Sequence, residues 1–173
     1  MTEENTLSHL EALRADARDE VKRRIQQRDQ YSMQLTVALG AIAVGAFSAN
    51  GTPKFFALAP MVSIYFTALI LYSYRIHDVL ATYLRCEIEP QFQSLCSVPS
   101  SKELEIWYAA EGRRSGVRRW FFVLEMWVIT LLSLAYVFHK TWNEPGFTCI
   151  LKYAALTYFI LAAWTSSWAQ KKG

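Results

Sequence analysis

The chain has 173 residues with 18 Lys or Arg and 15 Asp or Glu, which gives a formal net charge of +3 at pH 7. Hydrophobic residues make up 53% of it, yet the mean hydropathy is only +0.11 because the charges are concentrated into separate blocks. Such segregation is what a membrane protein needs. Because acids accompany the bases in each block, the composition argues against a nucleic-acid groove, and we expect no nucleic-acid partner.

The first predicted element is an amphipathic helix within residues 1–30. A narrow apolar stripe recurs at helical spacing there, while acids and bases occupy the other faces. The stripe consists of Leu10, Leu13, Ala17, Val21 and Ile25. Since neither Gly nor Pro separates this segment from the apolar stretch that follows, we expect one helix from about Leu7 to about Ala49.

Four stretches approach the length of about 20 apolar residues that a hydrocarbon core requires. They are residues 31–49, 55–74, 120–142 and 148–170. The connections at 50–54 and 143–147 are short and contain Asn, Gly and Pro, which favours two tight hairpins. The predicted fold is an all-α, integral membrane four-helix bundle, organised as 1–30, 31–74 (hairpin one), 75–119 (cytosolic helical segment), 120–170 (hairpin two) and 171–173 (tail).

The second span is expected to continue into the cytosol as an amphipathic helix. Its apolar stripe at four-residue spacing runs until Pro90 interrupts the helical pattern. The stripe consists of Ile76, Leu80, Leu84, Ile88 and Phe92. The simplest arrangement pairs it with the N-terminal stripe, and we interpret the acids of this helix, Asp78, Glu87 and Glu89, as solvated charges.

A third short cytosolic helix is indicated by Ser100 and Glu103, which have capping-box spacing, and by Gly112 as its end. Its apolar residues are Leu104, Trp107 and Tyr108. They are expected either to cover the helix pair or to dock a soluble partner.

The distribution of basic residues predicts the orientation. All but three of the 18 Lys and Arg residues lie in the N-terminal segment, the central segment and the tail; the exceptions are Lys54, Lys140 and Lys152. By the positive-inside rule, both termini and the central segment are predicted to be cytoplasmic, in a multi-pass protein of the cell inner membrane.

Small residues at four-residue spacing mark close helix approach in lipid. Three spans carry such stripes: Ala41, Gly45 and Ala49 in the first, Ala59, Ser63 and Thr67 in the second, and Ala162 and Ser166 in the fourth. They indicate either tight packing within one subunit or, for at least one stripe, the interface of a homo-oligomer.

Two residues within the predicted spans stand out. Pro60 lies about two turns into the second span, where its missing N–H predicts a kink, either structural or a hinge. Glu125 is an acid well inside the third span, and burying its charge is costly. It is expected to form an ion pair or to line a water-filled pore. Its candidate partners are Arg28, Arg75 and Arg118.

A basic cluster immediately precedes the third span, formed by Arg113, Arg114, Arg118 and Arg119. It is explained by the positive-inside rule or by attraction to anionic lipid headgroups. The three histidines are scattered without a second ligand at metal spacing, and the sequence has no phosphate loop or nucleophile elbow. We therefore expect no enzymatic activity, no metal and no cofactor.

Several short runs resemble those of small uncharacterised bacterial four-span membrane proteins. They are Arg28-Asp29-Gln30-Tyr31, Pro60 with Ser63, Ile76-His77-Asp78, Tyr83-Leu84-Arg85 and Ile88-Glu89-Pro90. The layout of a charged helix, two spans and a cytosolic helix is also similar to SLATT-type membrane effectors of bacterial antiphage systems. That resemblance implies pore formation or membrane disturbance on activation, here by a separate sensor or partner protein.

The sequence thus favours an oligomeric, channel-like or membrane-permeabilising effector in bacterial defence. Its cytosolic helices would receive a signal and its spans would alter permeability. The alternative is a non-conducting membrane scaffold that docks a soluble cytosolic partner.

Overall fold

The computed structural model describes residues 3–48, 51–96 and 115–170. The regular elements in these ranges are α1 (Glu3–Phe47), a 3-10 helix (Pro53–Leu58), α2 (Ala59–Tyr83), a π-helical turn (Leu84–Ile88), α3 (Glu89–Cys96), α4 (Ser115–Thr141) and α5 (Pro145–Gln170). The prediction of an all-α fold is confirmed for this part of the chain. The predicted third cytosolic helix, with Ser100, Glu103 and Gly112, lies outside the described residues.

Four helical stretches are long and apolar enough to cross a membrane. They are Asn5–Phe47, Pro53–Gln91, Arg119–Thr141 and Pro145–Gln170. Each exceeds the length of about 20 residues that a hydrocarbon core of about 30 Å requires. The chain therefore has the helices of a multi-pass membrane protein, and the four predicted apolar stretches are confirmed as helices.

The chain divides into two compact units. One unit comprises the described residues of Met1–Arg28 and Ser73–Gly116, and we call it the hairpin unit, although it is distinct from the two predicted transmembrane hairpins. The other comprises the described residues of Asp29–Tyr72 and Val117–Lys172, and we call it the spanning unit. Helices α1 and α2 each contribute residues to both units, because neither helix is interrupted at the boundary.

The core of the hairpin unit is the predicted pair of apolar stripes. Leu10 and Ala17 of α1 are buried against Leu84 and Ile88, with Leu13 and Val21 packed beside them. The pairing of the N-terminal stripe with the continuation of the second span is therefore confirmed. Ile25, which we assigned to the same stripe, is instead 38% exposed. The stripe thus ends one turn earlier than its spacing suggested.

Glu89 corrects the sequence analysis, which placed it among solvated charges. Its side chain is only 2% exposed. Both carboxylate oxygens accept hydrogen bonds from Arg14, from Nε at 2.8 Å and from Nη2 at 3.0 Å. Arg18 places its Nη2 3.8 Å from the same carboxylate. A bidentate, charge-assisted pair of this kind offsets the cost of burying the carboxylate.

The π-helical turn explains why Glu89 is buried. The backbone N–H of Glu89 donates to the carbonyl of Leu84, five residues back instead of four. This wider turn brings Glu89 onto the buried face that already carries Leu84 and Ile88. Pro90 follows at once, and its ring crowds the carbonyl four residues before it in a regular α-helix. The turn accommodates Pro90, so the chain stays helical to Cys96, where the sequence pattern predicted an interruption.

Pro60 lies about two turns into the helical stretch Pro53–Gln91, as predicted. The turns before it form a 3-10 helix, so Pro60 is the second residue of α2. The preceding 3-10 helix ends at Leu58, and the N–H of Ala59 donates to the carbonyl of Phe56, three residues back. Proline is tolerated in the first turn of a helix because no intrahelical N–H is needed there. A hinge role for Pro60 stays a prediction.

The two short connections of the spanning unit are tied to each other. Lys54, in the first, forms an ion pair with Glu144, in the second, at 2.6 Å, and lies over the ring of Phe147 at 5.0 Å. Gly51 makes the first turn sterically feasible, since a Cβ at that position would lie 2.5 Å from the carbonyl oxygen of Gly45. Both predicted hairpins therefore end in closely packed turns.

Replacing the buried acid of the hairpin unit tests the packing of its helices. Glu89→Gln leaves the Arg14 guanidinium without a charged partner in a half-buried place, which we expect to destabilise the pair by about 1–3 kcal/mol. Amide hydrogen exchange of α1 residues 8–21 in detergent micelles measures the effect as faster exchange. Glu87→Gln is the matched control, because Glu87 is exposed on the same turn. Equal exchange in both variants would contradict the role of the ion pair.

Candidate functional site

The interior of the spanning unit combines apolar clusters with buried hydroxyl groups. One apolar cluster joins Ile64, Leu71, Val123, Met126 and Ala162, and a second joins Leu134, Val137, Leu151 and Ala155. Six hydroxyl side chains of the same helices are 3% exposed or less, namely Ser63, Thr67, Thr130, Ser133, Thr141 and Thr165. The site is therefore a set of neutral polar groups enclosed by apolar packing.

Several of the hydroxyl groups in the spanning helices bond to their own helix. Thr141 donates to the carbonyl of Val137 at 2.8 Å, and Ser133 to that of Ile129 at 2.6 Å. The same local bond, four residues back, is made by Thr36, Thr157 and Ser166. This is the usual way in which a serine or threonine is satisfied inside a helix without a neighbour.

Three buried hydroxyl groups do not follow this rule. The side-chain oxygens of Ser63, Thr130 and Thr165 have no hydrogen-bond partner among the described residues. All three residues are 1% exposed or less. Each stands close in sequence to a member of the first apolar cluster, on α2, α4 and α5 respectively. We refer to these three groups as the unpaired hydroxyls.

An unpaired hydroxyl in an apolar interior costs about 1–3 kcal/mol, because the group gives up its hydrogen bonds to water and gains none in return. A hydroxyl offers one donor and two acceptor positions, so it can bind water, a cation or a carbonyl group. Three such groups on three helices of one unit make a substantial unfavourable contribution to its free energy of folding. Inside a membrane, polar groups that face the bundle interior are associated with permeation or ligand pathways.

Within the described ranges, no group of three His, Cys, Asp or Glu side chains lies together as a metal site. The unpaired hydroxyls are neutral groups. What the arrangement offers is reversible hydrogen bonding to small polar species.

The predicted small-residue stripes differ in how far they are buried within the chain. Ala59, Ser63 and Thr67 are all buried within the chain, and so is Ala162. Ser166 accepts a hydrogen bond from the indole Nε1 of Trp127 at 3.0 Å. These contacts agree with packing inside one subunit, which was one of the two alternatives.

The stripe of the first span is different. A Cβ added to Gly45 would contact only the ring of Phe55, at 3.8 Å, which is ordinary packing within the chain. Ala41, however, is exposed, and Ala49 lies outside the described residues. This stripe is therefore only partly used within one chain.

Glu125 lies partly buried on α4, between the core residues Val123 and Met126. Among the side chains that the structure describes in the spanning unit, none pairs with it. Of its predicted partners, Arg28 belongs to the hairpin unit and lies over the ring of Tyr74 at 4.2 Å. Arg75 belongs to the hairpin unit as well. Both the ion pair and the pore-lining role of Glu125 stay predictions, and the Arg118 side chain lies outside the described residues.

Other predicted site residues are only partly described. Arg113 and Arg114 lie outside the described residues, as do the proposed docking residues Leu104, Trp107 and Tyr108. Arg119 is 8% exposed, which leaves little of its surface for a lipid headgroup. Both explanations of the basic cluster stay predictions.

Sequence analysis missed Thr130 and Thr165, although a signal for the first was present. On α4 the residues Met126, Thr130, Ser133, Val137 and Thr141 recur at three- and four-residue spacing, and all are buried. Hydroxyl groups on an apolar helix face are polar groups that need hydrogen-bond partners, and this requirement distinguishes Thr130 from the small residues of a packing stripe.

The unpaired and bonded hydroxyls predict opposite effects on stability. Thr130→Val removes a hydroxyl without a partner, whereas Thr141→Val removes one that is bonded to its own helix. Both substitutions keep the shape of the side chain and lie on the buried face of α4. We expect Thr130→Val to be more stable than Thr141→Val by about 1 kcal/mol or more, as measured by thermal unfolding in one detergent. An equal loss in the two variants would show that the Thr130 hydroxyl has a hydrogen-bond partner in solution, either in the protein or as bound water.

Comparisons with known proteins do not add a family to this description. No protein-family model, no curated protein and no solved structure matches the chain. The functional argument therefore depends on the residues and contacts described above.

Proposed function

We propose that the protein is a channel-like membrane protein whose spanning unit passes a small hydrated species. The observation that carries the proposal is the presence of the unpaired hydroxyls of Ser63, Thr130 and Thr165 in an otherwise apolar interior. Their hydrogen-bonding capacity is met when water or a water-bound ion occupies the interior. Neutral hydroxyls bind such a species weakly enough to release it, which conduction requires.

Glu125 gives the proposed path a preference for cations. Its carboxylate lies on the helix that carries Thr130, five residues away. Carboxylates are the usual negative groups of cation pathways. A water-filled path would also accommodate Glu125, because an acid with access to water costs far less inside a membrane than one directed to lipid.

Assembly of several copies belongs to the same proposal. The part of α1 in the spanning unit exposes large apolar side chains, among them Met33, Val37 and Val44 at 64% or more. Gly40 lies on the same stretch, and a Cβ there would meet nothing within 4 Å. Small residues on a lipid-facing helix allow a second helix to approach closely. We therefore place the contact between subunits of a homo-oligomer on this face of α1.

The hairpin unit serves in this proposal as the receiver of a cytosolic signal, in keeping with an effector of bacterial defence. Its helix pair is held by the apolar contacts of Leu10 and Ala17 with Leu84 and Ile88, and by the Arg14–Glu89 pair. The outer faces carry exposed charges, including the Lys22–Asp19 pair. A sensor or partner protein would act on these charged faces.

A non-conducting scaffold that docks a soluble partner is the second candidate. The same firmly packed helix pair, with its charged outer faces, favours it. It differs from the first candidate in one measurable respect, since a scaffold leaves the bilayer impermeant.

Ion flux from liposomes tests the proposed function. Liposomes that contain the wild-type protein should release potassium faster than protein-free liposomes. Thr130→Val should lower that flux by about fivefold to tenfold, since one hydrogen bond of about 1 kcal/mol to the permeant is lost. The control Thr141→Val should keep the wild-type flux, because its hydroxyl is occupied by Val137. Impermeant wild-type liposomes would reject the channel in favour of the scaffold. Equal flux from the two variants would instead reject a path along the unpaired hydroxyls.

The proposed orientation places the hairpin unit and both termini in the cytoplasm and the two tight turns outside. Cys86, in the π-helical turn, and Cys149, in the first turns of α5, are both exposed free thiols. In intact cells, a membrane-impermeant maleimide should label Cys149 in a variant with Cys86→Ser and Cys96→Ser. It should label Cys86, in the variant with Cys96→Ser and Cys149→Ser, only after the cells are made permeable. Labelling of Cys86 in intact cells would reverse the orientation.

A further inference from the structure

The spanning unit has a groove on its surface between α2 and α5. Its volume is about 270 Å³ and its lining is almost entirely apolar. The lining includes Met61, Tyr65 and Ala68 of α2 and Leu161, Trp164 and Thr165 of α5. The groove is not closed over, since Met61, Tyr65 and Trp164 are each more than half exposed. In a membrane these side chains face the hydrocarbon, so the groove opens laterally to lipid.

Thr165 is the buried side chain with a hydroxyl group in the lining of this groove. It is 1% exposed, and its hydroxyl has no hydrogen-bond partner among the described residues. Neighbouring hydroxyls on α5 behave differently, because Thr157 and Ser166 bond to the carbonyls four residues before them. The Thr165 hydroxyl is thus a free donor at the wall of an apolar groove. A ligand for this place must be mainly apolar and must carry a hydrogen-bond acceptor.

We propose that the groove binds one acyl chain of a membrane phospholipid, with the ester carbonyl of that chain accepting a hydrogen bond from Thr165. The chain methylenes lie against Met61, Ala68 and Leu161, which supply a continuous apolar wall. The carbonyl oxygen satisfies the hydroxyl that the protein leaves unpaired. A phospholipid is the one molecule that the bilayer itself supplies in excess with both properties.

The position of Thr165 along α5 agrees with this ligand. Trp168 lies three residues further toward the end of the helix, about 4.5 Å along the axis. Its ring packs against that of Trp164, with the centroids 4.7 Å apart. Tryptophan side chains near helix ends favour the membrane interface. Along α5, Thr165 therefore lies within about one turn of the level of Trp168.

Photolabelling with a phospholipid that carries a diazirine near the ester end of one acyl chain tests the proposal. In liposomes of wild-type protein, the label should concentrate on the peptides that contain residues 61–68 and 161–165. Thr165→Val should reduce this labelling by about fivefold, and Thr165→Ser, which keeps the hydroxyl, should restore it. Thr157→Val is the matched control, because its hydroxyl lies on the same helix but is bonded to Tyr153.

Two results would overturn the proposal. One is uniform labelling, in which the exposed residues Leu131 and Leu132 of α4 are labelled as strongly as the groove. The other is equal labelling of Thr165→Val and Thr157→Val. If Thr165→Val does not fold, Ala68→Phe provides the test, since it fills the groove without touching the hydroxyl and should abolish the local labelling. The experiment is independent of ion flux, so its failure leaves the channel proposal untouched, and the reverse also holds.

Discussion

A hydrocarbon environment offers no hydrogen bonds, and the backbone of the four apolar helices is suited to this constraint. A helix satisfies its N–H and carbonyl groups within the chain, which is what crossing a membrane requires. The same demand applies to side chains, and helices meet it locally when a serine or threonine bonds to the carbonyl four residues before it, as Thr141 does with Val137. The unpaired hydroxyls are unusual because they lack this local hydrogen bond, which neighbouring serine and threonine side chains form.

The hairpin unit meets a related problem with charge instead of hydroxyl groups. Its two helices meet through a narrow stripe of small and branched apolar residues, with Ala17 near its centre. A buried carboxylate in such a contact would be costly alone. The bidentate contact from Arg14 makes it tolerable and also fixes the register between the helices, because both oxygens of Glu89 are engaged in one geometry. The π-helical turn before Pro90 is what brings the carboxylate to that position.

Much of this architecture could be predicted from the sequence. Length and hydropathy predicted the four long apolar helices. The absence of Gly and Pro between residues 7 and 39 predicted that α1 is one long helix. Spacing at three and four residues identified the stripes that pair in the hairpin unit. These features depend on local pattern, which a single sequence contains.

The remaining features depend on partners distant in sequence or on irregular turns. The ion pair joins Arg14 with Glu89, 75 positions apart, and no local sequence pattern predicts it. A periodicity of 3.6 residues also places Glu89 on the wrong face, because the π-helical turn shifts the count at that point. Whether a hydroxyl such as Thr165 is bonded to its own helix depends on backbone and side-chain geometry, which composition does not reveal.

Thr165 takes part in both the proposed channel and the proposed lipid-binding groove. Its side chain lines the lateral groove, while Ser63 and Thr130 are not among the groove residues. If a lipid ester takes the donor of Thr165, that hydroxyl still has acceptor positions for water from the interior. The interior path would then depend chiefly on Ser63 and Thr130, with Glu125 on the same helix as Thr130. A bound acyl chain would in this way cover the groove side of Thr165, and the path itself would not require it. The membrane would thus complete the polar interior that the protein alone leaves unsatisfied.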